Sequence, residues 1–412
     1  MISSRSQPTT KRPAQRTDRR SGLLTPTVGL VLLILMIVFA LLIDGIWLNN
    51  ARLELQQSAD AAALAAATEL AHDDLLRDDP NWAIRMEAAR RTAAEIARLN
   101  LVGGRSLRLD TSEDGDLWFG RLVTNDEGRT TFLSTETAPR TVVVTGRQSL
   151  RKGNPIGLLL QDVVGNATGE LELRSEASID NFVIGVRPLP ATTVPALPLA
   201  INLNAEYDDR LSWESAIDLG LGEDNWSYDP VNRSVSNTPD GIKEIIIRSK
   251  ANDEDATEAN LQLVDLDTEL SDLPLFHQIR DGWTAKSLER FGGQLVLGDE
   301  MLEIVSSAVI NDDVQESLDW AKGQARIVLL YDQITPSGSN GFGTIRVAGF
   351  AAGRIVAIIR KPDNSCEITF QPAVIATRTA VRADSVYALG ELTDAERAAL
   401  ENPYIYKISL TH

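Results

Sequence analysis

Residues 21–71 read SGLLTPTVGLVLLILMIVFALLIDGIWLNNARLELQQSADAAALAAATELA, and the fold turns on how that stretch is read. From Ser21 to Ile43 there are 23 consecutive residues without a formal charge, and Val28 to Ile43 is almost wholly Val, Leu, Ile, Met, Phe and Ala. At about 1.5 Å per residue such a run spans roughly 34 Å as a helix, enough to cross a hydrocarbon core of about 30 Å. Residues 1–20 hold Arg5, Lys11, Arg12, Arg16, Arg19 and Arg20 against Asp18, a balance of +5, while the other 392 residues carry −23 of formal charge. Positive charge stays on the cytoplasmic side, so the reading is a basic cytoplasmic head (1–20), a transmembrane helix (21–46) and an exported remainder. A cleavable signal peptide has a shorter apolar region followed by an Ala-x-Ala site. The sequence Ile43-Asp44-Gly45-Ile46-Trp47 offers no such site, which favours an uncleaved signal-anchor. Asp44, directly after the apolar run, reads either as a marker of the span's exported end or as a contact for a neighbouring helix.

Beyond the membrane the pattern stays helical. Arg52 to Ala71 contains no Gly or Pro and is dominated by Ala, Leu, Glu and Gln, so the spanning helix is expected to run on into the aqueous compartment as one rod of about fifty residues, on the order of 75 Å. Ala59, Ala62, Ala63, Ala66 and Leu70 recur at spacings of three and four, a stripe of small residues along which another helix backbone can approach closely. Asp79 and Pro80 suit the cap and first position of a second helix, expected from about Asn81 to Asn100 and closed by Gly103-Gly104. The Ala-rich segment 47–100 therefore reads as an α-hairpin.

From Arg105 onward short runs rich in Val, Ile, Thr and aromatics alternate with turn clusters such as Thr124-Asn125-Asp126-Glu127-Gly128, predicting a strand-rich exported domain over 105–187. Within it, Gly157 to Val164 reads as a short helix. Pro188, Pro190, Pro195 and Pro198 suggest an extended connector over 188–198. The remainder, 199–412, reads as a second α+β domain. Its strands are expected around Lys243–Arg248, Gly293–Leu297, Ala325–Tyr331, Gly353–Arg360 and Cys366–Thr369, with helical or loop-like stretches at Asn252–Ala259 and Asp312–Trp320. The expected fold class is α+β: a transmembrane helix continuing into an Ala-rich hairpin, then a mixed, strand-rich exported region.

Composition and motifs weigh against several functions. With 43% hydrophobic and 24% charged residues the 412-residue chain can bury real cores, and its acidic bulk offers no basic surface for nucleic acid. Cys366 is alone, which excludes an intramolecular disulfide and a C-x-x-C site, with burial as its default state. His72, His277 and His412 lack metal-ligand spacing, and His72-Asp73-Asp74 reads as a solvated helix end. No nucleophile elbow or P-loop is present, and the cluster Pro336 to Gly343 reads as a hairpin loop. The acid clusters Asn252–Asp255 and Asp265–Asp267 lack the pattern of a calcium loop and read as solvated surface. No catalytic residue, cofactor or metal is expected.

The order of basic head, span ending in Asp44-Gly45, and Leu55-Gln56-x-x-Ala59-Asp60-Ala61-Ala62-Ala63-Leu64-Ala65-Ala66-Ala67 resembles the N-terminal domain of TadG-like Flp pilus-assembly proteins. The likeness covers 15–100 well and 101–201 loosely, and does not extend to 202–412. It implies a bitopic bacterial envelope protein that works with other Tad-type assembly proteins or pilin-like helices. Asp44, Leu55, Gln56, Ala59, Asp60, Ala62, Ala63 and Ala66 would then be its helix-packing residues. The von Willebrand-type adhesion motif carried by some relatives is absent, since Asp110-Thr111-Ser112-Glu113-Asp114 departs from it after two elements. A processed pseudopilin is not supported either, because the fifth residue after Gly22 is Thr27 rather than Glu. The expected function is a membrane-anchored, non-enzymatic component of a Tad/Flp-type assembly or secretion system. The competing expectation is an anchored extracytoplasmic domain that binds a surface polysaccharide or protein.

Overall fold

A computed structural model of the chain describes residues 24–124, 129–158, 168–204, 211–250, 259–267, 272–298, 301–337, 342–362, 365–383 and 400–411. The basic head, most of the segment 157–164, the stretch 252–258 and the glycine cluster 338–341 lie outside the described residues.

Helix α1 is continuous over Leu24–Leu70, 47 residues without a break. Among the described residues it is the one helix long and apolar enough to cross a membrane. Between Val28 and Asn50 its side chains are exposed except for Ala40, Asp44 and the half-buried Leu48. From Ala51 on, one face becomes fully buried. Helix α2, Trp82–Leu99, returns alongside it and completes the hairpin. Its cap is two residues later than expected: Asn81, not Asp79, caps it, with Oδ1 accepting from the Ile84 N–H at 3.1 Å, so Pro80 stands before the cap rather than inside the first turn.

The chain then lays down β1 (Leu101–Val102), β2 (Arg105–Ser106), β3 (Leu117–Thr124), β4 (Thr130–Ser134) and β5 (Thr141–Gln148). Next come β6 (Ile156–Gly157), β7 (Thr168–Gly169), β8 (Leu171–Asp180), β9 (Val183–Val186) and β10 (Ala196–Asn202). A hairpin of β11 (Ser227–Asp229) and β12 (Ser234–Ser236) precedes β13 (Ile245–Arg248) and β14 (Leu261–Val264). Helix α3 (Asp272–Asp281), β15 (Leu295–Val296), β16 (Leu302–Ser307) and helix α4 (Asp312–Trp320) follow. The last strands are β17 (Arg326–Pro336), β18 (Phe342–Arg360), β19 (Cys366–Pro372), β20 (Ile375–Thr377), β21 (Ala380–Arg382) and β22 (Ile405–Leu410). The fold is α+β, as the sequence indicates. The antiparallel pairing of Pro336 with Gly343 makes β17 and β18 a hairpin across the glycine-rich connection.

Two sheets organise the body. One has the order β20-β22-β8-β5-β3-β4 and carries α1 across one face. The other closes on itself: β10, β14, β16, β18 and β17 form a five-stranded barrel, with β10 and β17 parallel and the other neighbours antiparallel, while β19 and β13 extend it from β18. The 19-residue length of β18 is what permits this, since its first half pairs with β16 and its second half with β19 while β17 runs along most of it.

These pairings redraw the expected boundaries. The strand-rich unit of 105–187 is completed by residues from the far end of the chain, because Lys407–Leu410 pair with Ala177–Asp180. The segment 188–198 is not simply an extended connector. Ala196 to Ile201 are buried barrel residues, and Pro198 is accommodated in β10, where the connection Ile327 N–H to Pro195 carbonyl also helps hold the parallel pair. Gly157 belongs to β6 rather than opening a helix. Asp265 is buried, not solvated: its Oδ1 accepts from Gln278 Nε2 at 3.2 Å and from the Asp267 N–H at 2.9 Å. Cys366 is buried in β19, and burial pushes its thiol up to about 11.

Candidate functional site: the helix seam and the joint at its tip

The distinctive feature of α1 is that one seam runs nearly its whole length. Ala40, Asp44 and Leu48 begin it at intervals of four residues, and Ala51, Leu55, Ala59, Ala62, Ala63, Ala66, Ala67 and Leu70 continue it as core. Small residues are needed here because the helix lies directly on strands. A Cβ at Gly146 of β5 would stand 2.9 Å from Leu55 Cδ1 and 3.6 Å from Ala59 Cβ, so the sheet receives Leu55 and Ala59 at a point where it carries no side chain of its own. The other flank of the seam is filled by Met86, Ala89, Ala93 and Ala97 of α2, and the sheet contributes Val142, Val144, Ala177 and Ile179. A stripe read as open to a partner helix is thus occupied by the chain's own hairpin and sheet. The spacing correctly marks a close-packing face; it does not say which backbone fills it.

Two polar residues of the motif have a defined task. Asp60 Oδ1 accepts from Gln56 Nε2 one turn earlier and from Ser175 Oγ on β8, both at 2.6 Å, which pins α1 to the sheet at one register. Charge-assisted bonds of this kind contribute about 1.5–3 kcal/mol. Asp60→Ala is therefore expected to lower unfolding stability by about 2 kcal/mol, with Ser175→Ala less costly, as read by denaturant titration of the detergent-solubilised chain. Flanking links follow the same logic: Gly103 N–H donates to Glu54 at 2.7 Å, Thr92 Oγ1 to Glu69 at 3.0 Å, and Arg90 lies over the Phe119 ring at 4.9 Å. Asp44 is only 7% exposed although it follows an otherwise exposed apolar stretch.

At the far end of α1 the His72-Asp73-Asp74 turn is a joint rather than a solvated terminus. Asp73 accepts from Arg354 Nη2 at 2.6 Å and from the Val374 N–H at 2.7 Å, tying the hairpin to β18 and to the segment before β20. Arg354 is buried, and its guanidinium also lies 4.0 Å from the centre of the Tyr228 ring. Asp74 is held by Arg77 at 2.5 Å and Arg85 at 2.9 Å, and His72 Nδ1 caps the short turn by accepting from the Asp74 N–H. Burial, followed by Arg85, holds the His72 imidazole below its usual range.

Beside this joint sits Glu244, 2% exposed, accepting from the N–H groups of Asn225 and Trp226 at 2.9 and 3.0 Å and from Gln371 Nε2 at 3.3 Å. Burial pushes its carboxyl up to about 7, outweighing the two backbone donors that favour the ionised form. Asp240, in reach of Gln371 and Arg77, is raised by burial as well. Because the folded chain holds the Glu244 proton more tightly than the unfolded chain, stability is fully present below pH 4.5 and falls as pH rises towards 7. The loss expected from this group is on the order of 3 kcal/mol. A melting series from pH 5 to 8 should show the decline, and Glu244→Gln should flatten it whatever its effect on absolute stability.

Ser175, Arg354 and Glu244 carry no sequence signal of these roles, since their partners lie more than a hundred residues away or on separate turns. Among the described residues no cluster of three His, Cys, Asp or Glu is disposed to hold a metal.

The comparisons with known proteins fall on the same segment. Residues 22–69 match the model of a family described as putative Flp pilus-assembly TadE/G-like. The match covers α1 except its last residue, Leu70, and the two residues before it, so the chain carries a TadE/G-like segment joined to a much larger body. Comparison with curated proteins and with solved structures finds no match.

Proposed function

We propose that this chain is a membrane-anchored, non-enzymatic component of a Tad/Flp-type pilus assembly or secretion system, with its body on the extracytoplasmic side. The observation that carries the reading is the continuity of the family-matching helix. Its first half is exposed and apolar, its second half is the spine of the folded body, and the helix runs unbroken through Gly45 between them. A helix built this way makes anchor and body one rigid piece, suited to holding a body at a fixed place beside a membrane machine rather than to presenting it on a flexible tether.

The face of α1 left for other chains is the one opposite the seam. Ile46 is 65% and Leu53 56% exposed, two turns apart on one side of the helix just past the apolar run. Partner contact is assigned to this face. Leu53→Asp is expected to abolish co-purification with Tad platform proteins while leaving the melting temperature unchanged. Undiminished co-purification would count against the assignment, and absence of any Tad partner for the native chain would count against the function.

A further inference from the structure

The face of the six-stranded sheet turned away from α1 carries a different chemistry from the seam. Val142, Val144, Ala177 and Ile179 point to the helix, so their neighbours Thr141 of β5, Ser178 of β8 and Ser409 of β22, paired across the strands, share the opposite face. Thr141 Oγ1 and Ser178 Oγ are 2.9 Å apart, and Thr411 Oγ1 lies 3.4 Å from Ser178 Oγ. These hydroxyl residues line a hollow of about 470 Å³, within the range of small-ligand sites. Its charged lining is Arg121, Arg140 and Arg382 against Asp180 and Glu401. The residues after position 20 carry −23 of formal charge, so a hollow with an excess of cations departs from the rest of this body.

The guanidiniums are only partly used. Arg140 Nη1 donates to Asn181 Oδ1 at 2.8 Å, but its Nη2 stands 3.7 Å from Glu401, beyond hydrogen-bond reach. Arg121 Nη2 donates to the Thr137 carbonyl at 3.3 Å, and Arg382 Nη1 lies 3.6 Å from Asp180. A guanidinium has five donors, so Arg121 and Arg140 keep most of theirs for a ligand. Past Arg382 the positive field continues. Lys407, paired with Thr377 and Asp180, donates from Nζ to the Arg378 carbonyl, and the Arg187 N–H donates to the Thr379 carbonyl at 2.7 Å. Burial, then Arg187, Arg382 and Arg378, holds the Lys407 ammonium below its usual range.

On the β3 side the surface becomes aromatic. Gly120 pairs with Thr141, and a Cβ there would stand 2.7 Å from the Phe132 ring, which therefore covers that glycine. Trp118, 43% exposed, is two residues along the same face, about 7 Å away. Under the reading of α1 as a span, height excludes a lipid headgroup as the ligand. A Cβ at Gly169 would lie 2.4 Å from Leu48 Cδ2, and Ser175 bonds to Asp60, so β8 climbs along α1 away from the apolar run. Asp60 lies about 25 Å of helix past Ile43, and Ser178 about 10 Å of strand further. The hollow is thus about 35 Å beyond the hydrocarbon core, where headgroups do not reach.

We propose that this hollow and the Trp118 face beside it bind an acidic saccharide. Carboxylates of the sugar meet Arg121, Arg140 and Arg382, its hydroxyls meet Thr141, Ser178 and Ser409, and the apolar side of a sugar ring lies against Trp118. The site is separate from the seam and from the face of α1 assigned to partner helices, and adds a glycan ligand to the assembly role.

Calorimetric titration of the detergent-solubilised full-length chain with trigalacturonate tests this. Saturable binding is expected, weakened at least tenfold for the neutral galactose trimer and for Arg140→Gln, and accompanied by tryptophan quenching that Trp118→Phe abolishes. Ser409→Asp removes no arginine and sets a carboxylate in the hollow; a similar loss is expected from it, which keeps the site testable if Arg140→Gln disturbs folding. The exposed Arg290→Gln should leave affinity unchanged. Equal affinity for a triglutamate peptide or for the neutral trimer would overturn the acidic saccharide. Absence of binding at millimolar trimer, or binding that survives both Arg140→Gln and Ser409→Asp, would overturn the site. None of these results bears on the co-purification that tests the assembly role.

Discussion

Ala62→Glu, or Ala66→Glu, is expected to unfold the junction between helix and sheet, with a loss of at least about 3–5 kcal/mol. Both side chains are fully buried in the cluster formed by α1, α2 and the six-stranded sheet. A carboxylate placed there meets methyl groups instead of water or a cation, and its added volume presses on a sheet whose nearest strand already needs Gly146 to admit the helix. The measurement is protease resistance and denaturant midpoint of the purified full-length chain, with the exposed Gln57→Glu as a neutral control. A glutamate at 62 that left both unchanged would refute the seam. The same experiment governs how interaction assays are read: loss of partners on changing the alanine stripe reports a broken body, whereas loss on changing Leu53 reports a broken contact.

The second large effect is expected at the joint. Arg354→Met should cost about 3–5 kcal/mol, because it strands Asp73 beside β18 without its cation and removes the group stacked on Tyr228. Arg354→Lys should recover only part of that loss, since an ammonium cannot reproduce the planar contact with both the carboxylate and the ring. Asp73→Asn combined with Arg354→Met should be less damaging than the sum of the two, and the double-mutant cycle gives the coupling directly. Strict additivity would mean that hairpin and barrel are joined by something other than this pair.

The local parts of the architecture were open to reading from residue order alone. The uncharged run and the Ala and Leu spacing specify a long helix and a hairpin because helix formation depends on neighbours three and four residues away. Gly103-Gly104, expected to close the second helix, instead form the β1–β2 turn after a helix that already ends at Leu99. Runs of Ile and Val likewise announce β13, β17, β18 and β19. What no local pattern encodes is the choice of partner. Nothing near Ser175 marks it as the hydroxyl that meets Asp60, 115 positions earlier, and nothing near Arg354 points 281 positions back to Asp73. The alanine stripe shows the limit most clearly: small residues state that something approaches closely, and both a foreign helix and the chain's own β5 satisfy that statement equally well.

The pairing of β22 with β8 has a consequence for biogenesis. Residues 407–410 complete the same sheet that residues 117–180 begin, next to the strand that bonds to α1. The sheet begun by the earlier strands therefore stays open along β8 until residues 407–410 have been made. During that interval an unpaired strand edge is exposed and can recruit other strands. A chain cut short by translation arrest or proteolysis before residue 405 would retain every residue of the family-matching helix. It would also remain permanently unsealed. Only a chain extended through β22 can shut the surface on which its family-matching helix rests.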